Sequence, residues 1–197
     1  TQEQFSLPGL EDVHPHGLQG PSQYSWHSHH VKILPDADSL TRYTIERIAR
    51  IAMATLEVNE TFSIALSGGS TPVPVYEGLA KEPFAKMLDW GRIHVFFGDE
   101  RCVPPEHEDS NYRMARETLL DHVPIPDSHI YRMRGEDDPK QAAKAYEQQL
   151  YEFFGDSDIW FDVNLLGMGE DGHTASLFPG TDAIHEDERM VIAHHVE

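Results

Sequence analysis

Residues 62–72 read Phe-Ser-Ile-Ala-Leu-Ser-Gly-Gly-Ser-Thr-Pro, an apolar run that ends in a glycine-rich turn. The five residues before Ser67 predict a strand, because a short apolar run bounded by turn residues fits a buried position in a sheet. The two glycines and Pro72 predict a turn into a helix from Val73 to about Lys81. Strand, turn and helix in this order form the repeating unit of parallel α/β sheets.

The same unit recurs on both sides of this stretch. Apolar runs predict further strands at Val31–Leu34, Ile93–Phe97 and Phe161–Leu166, and residues 191–193 resemble the start of another strand. Helical spacing predicts one helix capped by Asp38 or Ser39, one from Asn111 to Leu120 and one from Pro139 to Phe154. Short strands that alternate with helices predict an α/β fold, a Rossmann-like three-layer sandwich with a mostly parallel sheet.

The chain of 197 residues is long enough for one such domain. Residues 1–29 lack apolar periodicity and hold four of the 13 histidines, namely His14, His16, His27 and His29, and His30 follows directly. A histidine-rich tract can bind metal, but the irregular spacing without Cys or a carboxylate frame favours a disordered extension. We therefore expect the domain to occupy residues 30–197.

Charge and cysteine content restrict the partners and the setting. The formal net charge of −19 argues against binding to nucleic acid or to an anionic membrane, because both would repel the chain. No apolar run approaches the roughly 20 residues that span a bilayer. Cys102 is the only cysteine, which excludes a disulfide within the chain and favours a reducing cytoplasm. The oligomeric state stays open.

Unusual polar stretches follow three of the predicted strands, at the end of a parallel sheet where ligands bind. The first is residues 67–72, where glycines let the backbone approach a ligand and Ser70 or Thr71 can cap the next helix. Unpaired N–H groups at such a turn suit a phosphate. A tight turn without a ligand fits this stretch equally well.

The second stretch, residues 98–104, carries Asp99, Glu100 and Arg101. Two carboxylates can orient water or hydroxyl groups, and a guanidinium can hold a phosphate through two hydrogen bonds. A solvated loop with a local ion pair is the alternative interpretation. We expect Cys102 to be buried as a small apolar side chain.

The third stretch, residues 167–180, places His173 among glycines at positions 167, 169 and 172. An imidazole titrates near neutral pH and can take a proton from water, which makes His173 a candidate general base. Asp171 is either its partner or a residue that stabilises the turn. For His107, His122 and His129 we expect structural roles.

Four blocks of sequence, in this order, resemble the 6-phosphogluconolactonase family. They are residues 66–72, residues 98–101, Ser110-Asn111-Tyr112 and residues 169–179. The related glucosamine-6-phosphate deaminases usually carry Tyr in place of Arg101 and an Ile-Ala-Phe-Asn-Glu-Pro type of run after Gly-His. Here Thr174 to Pro179 follow His173, so both positions favour the lactonase.

The resemblance implies a fold like that of glucosamine-6-phosphate deaminase and hydrolysis of 6-phospho-D-glucono-1,5-lactone in the oxidative pentose phosphate route. It implies that His173 is the general base, that Asp99 positions the sugar or water, and that Arg101 supplies positive charge. The C6 phosphate would lie in the loop formed by Ser67, Gly68, Gly69, Ser70 and Thr71. No metal and no cofactor is expected, since one base plus oxyanion donors can open an activated lactone.

Two other functions stay open at this point: an amino-sugar-phosphate deaminase or isomerase, and a sugar-phosphate-binding protein without turnover. The retained His173 argues against the second, while Arg101 and Ser176-Leu177-Phe178 argue against the first. Members of the family normally continue beyond position 197 with elements that carry basic residues near the substrate. We therefore expect the chain to be a fragment or a shortened form.

Overall fold

The computed structural model describes residues 31–155 and 161–195. The elements below belong to the compact unit that begins at Pro35. The predicted histidine-rich extension, residues 1–29, lies outside the described residues, so its proposed disorder stays a prediction.

Within the described residues, the sheet has three parallel strands in the order β2-β1-β3. They are β1 (Phe62–Leu66), β2 (Ile93–Phe97) and β3 (Val163–Asn164). The first two pair over their whole length, from Phe62 opposite Ile93 to Leu66 opposite Phe97. Both strands therefore end side by side, and the loops that follow them start from the same edge of the sheet.

Five α-helices accompany the strands in the described residues: α1 (Ala37–Val58), α2 (Val73–Leu79), α3 (Phe84–Met87), α4 (Asn111–Thr118) and α5 (Pro139–Phe154). Short 3₁₀ turns cover Trp90–Arg92, Leu120–His122, Asp127–His129 and Asp182–His185. Within these ranges, no helix combines the length and apolar character that crossing a bilayer requires.

The helices cover both faces of the sheet. On one face, Ile64 and Val95 belong to a core built with buried residues of α1, α2 and the 3₁₀ turn after α4. On the other face, Ala65 and Phe96 pack with Tyr146 and Leu150 of α5. These two cores and the strand order confirm the predicted three-layer α/β fold with a parallel sheet.

The predicted cap of the first helix, Asp38 or Ser39, is wrong by two or three residues. The helix begins at Ala37, and the carboxylate of Asp36 accepts the backbone N–H of Ser39 at 2.7 Å. Asp36 has extended backbone angles, as a cap needs, whereas Asp38 and Ser39 are already helical. Of the apolar residues whose spacing predicted this helix, Ile45, Ile48 and Ala52 are buried together with Ala49, whereas Leu40 and Tyr43 are exposed.

The predicted strand at Val31–Leu34 is absent, and Val31 and Ile33 are 86% and 89% exposed. Residues 191–193 are not a strand either. The residue before them, Met190, donates its backbone N–H to a carboxylate oxygen of Glu147 at 2.8 Å and not to a strand. An apolar run becomes a strand only where a neighbour completes its ladder, and neither run has a ladder partner among the described residues.

The third strand is shorter than predicted because side chains replace its first ladder bonds. One Asp162 oxygen accepts both the N–H and the hydroxyl of Ser63, at 2.7 and 2.9 Å. Two residues of regular strand follow, and Leu165 N–H adds one more bond to Ala65. The chain then leaves the sheet, with Leu166 exposed.

Candidate active site

The three predicted loops meet at the carboxyl edge of the sheet. Gly68, in the loop after β1, lies against the side chain of Asn111. The Asn111 amide donates to Asp99 in the loop after β2, and Ser176 in the loop after β3 donates to the same Asp99 carboxylate. The prediction that these loops form one site is consistent with this chain of contacts.

Two buried tyrosines fix the ends of the two long strands. The Tyr76 hydroxyl accepts the N–H of Ser67 at 2.9 Å and donates to its carbonyl at 2.8 Å. Tyr146 does the same for Phe97, at 2.9 and 3.0 Å. Burial raises the pKa of both phenols, so they stay protonated and able to donate. Each loop therefore starts from a backbone position that is held on both its polar groups.

The loop after β1 presents backbone donors. In the described part of the chain, the N–H groups of residues 68–71 donate no hydrogen bond. The prediction that Ser70 or Thr71 caps the next helix is wrong, because α2 begins after Pro72 and lacks a side-chain cap. Both hydroxyl side chains thus stay exposed beside the unused N–H groups.

Glu100 has a different role from the one its sequence neighbours suggest. Its carboxylate accepts the N–H groups of Arg101, Asn111 and Tyr112 at 2.7–2.8 Å and the Ser110 hydroxyl at 3.1 Å. With four donors it holds the first turn of α4, where a negative charge is favourable. The prediction that both carboxylates of this loop orient a ligand is therefore wrong for Glu100.

The side chains of Arg101 and Cys102 lie at the surface. Val103 N–H donates to the Arg101 carbonyl at 2.8 Å, a tight turn that leaves both side chains outside. Cys102 is exposed, which corrects the prediction of a buried thiol. Among the described residues, the Arg101 guanidinium has no carboxylate within ion-pair distance. Its positive charge is therefore available to an anionic ligand.

Asp99 is held on both oxygens. The Asn111 amide donates to Oδ1 at 3.2 Å and to the Asp99 carbonyl at 3.0 Å. The Ser176 hydroxyl donates to Oδ2 at 2.5 Å. Each carboxylate oxygen keeps a second lone pair, so Asp99 can still accept a hydrogen bond from a hydroxyl or a water.

His173 sits over Gly169, and an added Cβ at that glycine would overlap the imidazole. Its Nδ1 lies 2.5 Å from Asp171 Oδ1, and its ring lies 4.4 Å from that of Phe178. A carboxylate only accepts, so Nδ1 carries the hydrogen and the neutral ring keeps Nε2 unprotonated. This tautomer suits a general base.

Asp171 both orients the imidazole of His173 and stabilises the turn. It therefore has both of the roles that were alternatives in the sequence. It accepts the backbone N–H of His173 at 3.2 Å as well as the ring hydrogen. These two bonds, the backbone one first, hold the pKa of the Asp171 carboxyl below its ordinary value. Asp171 therefore stays ionised at neutral pH.

The imidazole of His173 is bonded only within its own loop among the described residues. The other two loops reach its loop through Ser176, and through Ser67, whose Oγ lies 3.9 Å from the position of an added Cβ at Gly167. Sequence reasoning gave no role to Asn111 or Ser176. The only signal for them in the sequence was that they belong to two of the four motif blocks, Ser110-Asn111-Tyr112 and residues 169–179.

Fold and site together define a parallel α/β protein with a histidine–carboxylate pair and unused backbone donors at the carboxyl edge of its sheet. The chain belongs to the family described as glucosamine-6-phosphate isomerases/6-phosphogluconolactonase, whose model matches residues 35–197.

Individual relatives agree with this assignment. The chain is 45% identical over 165 residues to a 6-phosphogluconolactonase of Nostoc, and 39% identical over 156 residues to one of Haemophilus influenzae. These matches cover 82% and 79% of the chain but 67% and 66% of the relatives, so the chain spans about two thirds of their length. A solved 6-phosphogluconolactonase from Trypanosoma brucei is 34% identical, with a TM-score of 0.72 over 81% of this chain and 67% of that one.

Proposed function

We propose that this chain hydrolyses 6-phospho-D-glucono-1,5-lactone to 6-phospho-D-gluconate. The observation that carries the proposal is the contact between His173 Nδ1 and Asp171, which orients the imidazole and leaves its Nε2 without a partner among the described residues. The names of the relatives support the same reaction.

In this mechanism His173 Nε2 takes a proton from a water that attacks the lactone carbonyl. The negative charge that develops on the carbonyl oxygen needs nearby donors. Collapse of the tetrahedral intermediate breaks the ring C–O bond, and the proton on His173 passes to the departing ring oxygen. Asp171 stabilises the imidazolium between these two transfers without being protonated itself.

The substrate phosphate would bind at the unused N–H groups of residues 68–71. Arg101 would supply the positive charge that a chain of net charge −19 otherwise lacks near an anionic ligand. The backbone of Ser67 is occupied by Tyr76, so Ser67 would contribute its hydroxyl alone. Asp99 would position a sugar hydroxyl or the attacking water.

We further propose that the reaction needs neither metal nor cofactor, because a lactone is already activated towards hydrolysis. Turnover that survives dialysis against EDTA would support this, and turnover that returns only with added divalent metal would contradict it. The cytoplasmic location stays a proposal that rests on the single cysteine, Cys102.

Deamination or isomerisation of an amino-sugar phosphate is the second candidate, because the family description names glucosamine-6-phosphate isomerases beside 6-phosphogluconolactonase. The deciding experiment incubates the chain with fresh lactone and, separately, with glucosamine 6-phosphate. Buffer blanks are needed because the lactone opens slowly by itself. We expect turnover above the blank for the lactone alone. Release of ammonia from glucosamine 6-phosphate, or no turnover of either compound, would contradict the proposal.

A further inference from the structure

Asn111 is the buried residue that touches two of the three loops. It is the first residue of α4 and is 4% exposed. Its Nδ2 donates to the carbonyl and to the carboxylate of Asp99, at 3.0 and 3.2 Å. Both partners are acceptors, so the amide NH₂ must face Asp99 and the amide oxygen must face the other way. On that other side lies Gly68, where an added Cβ would overlap the amide.

The side chain of Asn111 is not what holds the helix. Ser110 caps α4 by accepting Arg113 N–H at 3.1 Å, and Glu100 binds the backbone N–H of Asn111 at 2.7 Å. Any residue except proline at position 111 would supply that N–H. The side-chain amide therefore contacts only the loops and does not contribute to the helix.

We propose that Asn111 is a positioning residue, which fixes the Asp99 carboxylate and the Gly68 turn at one spacing and so aligns the phosphate end of the substrate with its reacting end. The inference rests on the proposed lactonase function. Ser176 completes the arrangement, because its hydroxyl holds the second oxygen of Asp99 at 2.5 Å. The contacts Gly68–Asn111–Asp99–Ser176 then connect the loops after all three strands.

The first test compares Asn111→Asp with Asn111→Ala. The acidic variant keeps the size of the side chain and the backbone bond to Glu100, but it sets an acceptor against Asp99. At pH 8 we expect kcat/KM to fall by about 10²-fold in either variant, the size of effect that misplacement of catalytic groups produces. A loss of less than threefold would overturn the proposal.

The pH dependence separates positioning from general damage. Two carboxylates in contact share a proton, so a lower pH returns a donor to Asn111→Asp but not to Asn111→Ala. Expressed relative to the wild type at each pH, the defect of Asn111→Asp should shrink at least fivefold from pH 8 to pH 5.5. The defect of Asn111→Ala should stay constant. Parallel profiles for the two variants would contradict the proposal.

The charged groups around Asn111 come from two loops. Asp99 and Glu100 bond to it directly, and Arg101 follows them on the same loop. His173 and Asp171 share a loop with Ser176, while the glycine loop of residues 67–72 has no ionisable side chain. The new carboxyl would therefore meet Asp99 first, since Glu100 is already satisfied by four donors.

A double-mutant cycle tests the contact with Gly68. Gly68→Ala forces the Asn111 amide to move, which breaks its bonds to Asp99. With Asn111→Ala already present the added methyl group finds room, so Gly68→Ala should cost at least fivefold less in kcat/KM than it does in the wild type. Additive losses would mean that the two residues do not act together.

A stability measurement tests the contact between Asn111 and Asp99 even if the chain is inactive on the lactone. The unfolding midpoint of Asn111→Asp should lie further below that of the wild type at pH 8 than at pH 5.5, because the buried charge repulsion exists only at the higher pH. An equal gap at both values would contradict the Asn111–Asp99 contact. Inactive wild type with a gap that depends on pH would contradict the proposed function and leave the geometry standing.

Discussion

The loops after β1 and β2 differ from the loop after β3 in what holds them. The first two start from strands that pair over five residues, and a tyrosine hydroxyl binds both polar groups of the backbone where each loop begins. The third starts from a strand of two residues. The Ser176 hydroxyl bonds this loop to Asp99, and the Ser176 carbonyl oxygen lies 2.5 Å from Nε2 of His194. His173, the candidate base, lies on this third loop.

This difference suggests a division of work. The firmly held loops carry the N–H groups of residues 68–71 and Arg101. These groups would bind the substrate in both its ground state and its transition state. The group that would move a proton stands on the loop with fewer supports, where Gly169, Asp171 and Phe178 orient it locally. Changes to the third loop should therefore reduce the chemical step, and changes to the other two should reduce binding or stability.

The largest effect is expected from His173→Asn. A general base contributes about 10²–10⁴-fold to a rate, so kcat for lactone hydrolysis should fall within that range. Steady-state kinetics with the uncatalysed opening subtracted would measure it. Full kcat at neutral pH would exclude His173 as the base.

The second prediction concerns Gly169→Ala, in which the added methyl group would displace the imidazole. We expect kcat to fall by about 10²-fold because the base leaves its productive position. Gly167→Ala is the matched control, since the nearest atom to its new Cβ, Ser67 Oγ, is 3.9 Å away. Equal losses of kcat in the two variants would show that displacement of His173 is not the cause of the loss.

The two tyrosines should matter for stability. Removing either hydroxyl leaves a backbone N–H and a carbonyl unpaired, which costs about 1–3 kcal/mol in the free energy of unfolding. Tyr146→Phe should lie at the upper end, because both partner groups belong to the buried Phe97, whereas Ser67 is partly exposed. Urea unfolding would measure both, and losses below about 0.5 kcal/mol in both would contradict the description of the strand ends as firmly held.

Replacement of Arg101 should act on binding. A guanidinium that contacts the phosphate does so in the ground state and in the transition state, so Arg101→Ala should raise KM about tenfold and change kcat little. Arg101→Lys should recover part of the loss by restoring the charge without the two-pronged geometry. An unchanged KM with a large loss of kcat would assign Arg101 to the chemical step.

The smallest effect is expected for the loss of folding stability at acidic pH that protonation of His94, in β2, causes. Burial and then the neighbouring His129 lower the pKa of His94 to about 4, and its ring stacks on that of His129 at 4.0 Å. The unfolded chain binds this proton near pH 6.5, so stability is full above 6.5 and declines as the pH falls towards 4. His94→Gln should flatten this decline in urea midpoints between pH 7.5 and 5. Equal declines in both proteins would contradict it.

The sequence predicted the elements that its own pattern determines. The runs at 62–66, 93–97 and 139–154 became β1, β2 and α5 with the expected bounds. The errors arose where tertiary partners decide the outcome. Val31–Leu34 and residues 191–193 are apolar enough for strands, but no described strand pairs with them, and the strand expected at 161–166 lost its start to side-chain bonds between Asp162 and Ser63.

The candidate site was predicted in a similar way. His173 with Asp171, and the loops after the strands, followed from glycine-rich turns behind apolar runs. The use of Glu100 as a cap for α4 depends on a helix that starts eleven residues later, and the position of Asn111 between Asp99 and Gly68 depends on the three-dimensional approach of two loops. Residue types along the sequence do not determine which residues from different loops come into contact, so these two roles could not be predicted.

The division between binding loops and the histidine loop is tested most directly by the affinity of His173→Asn for the product, 6-phosphogluconate. Isothermal titration calorimetry of this variant and of the wild type, at pH 7.5 and equal ionic strength, would give the two dissociation constants. The account predicts that they agree within about threefold, because the phosphate would be held by residues 68–71 and Arg101. A loss of affinity of tenfold or more would place His173 in the binding of the substrate and contradict the account.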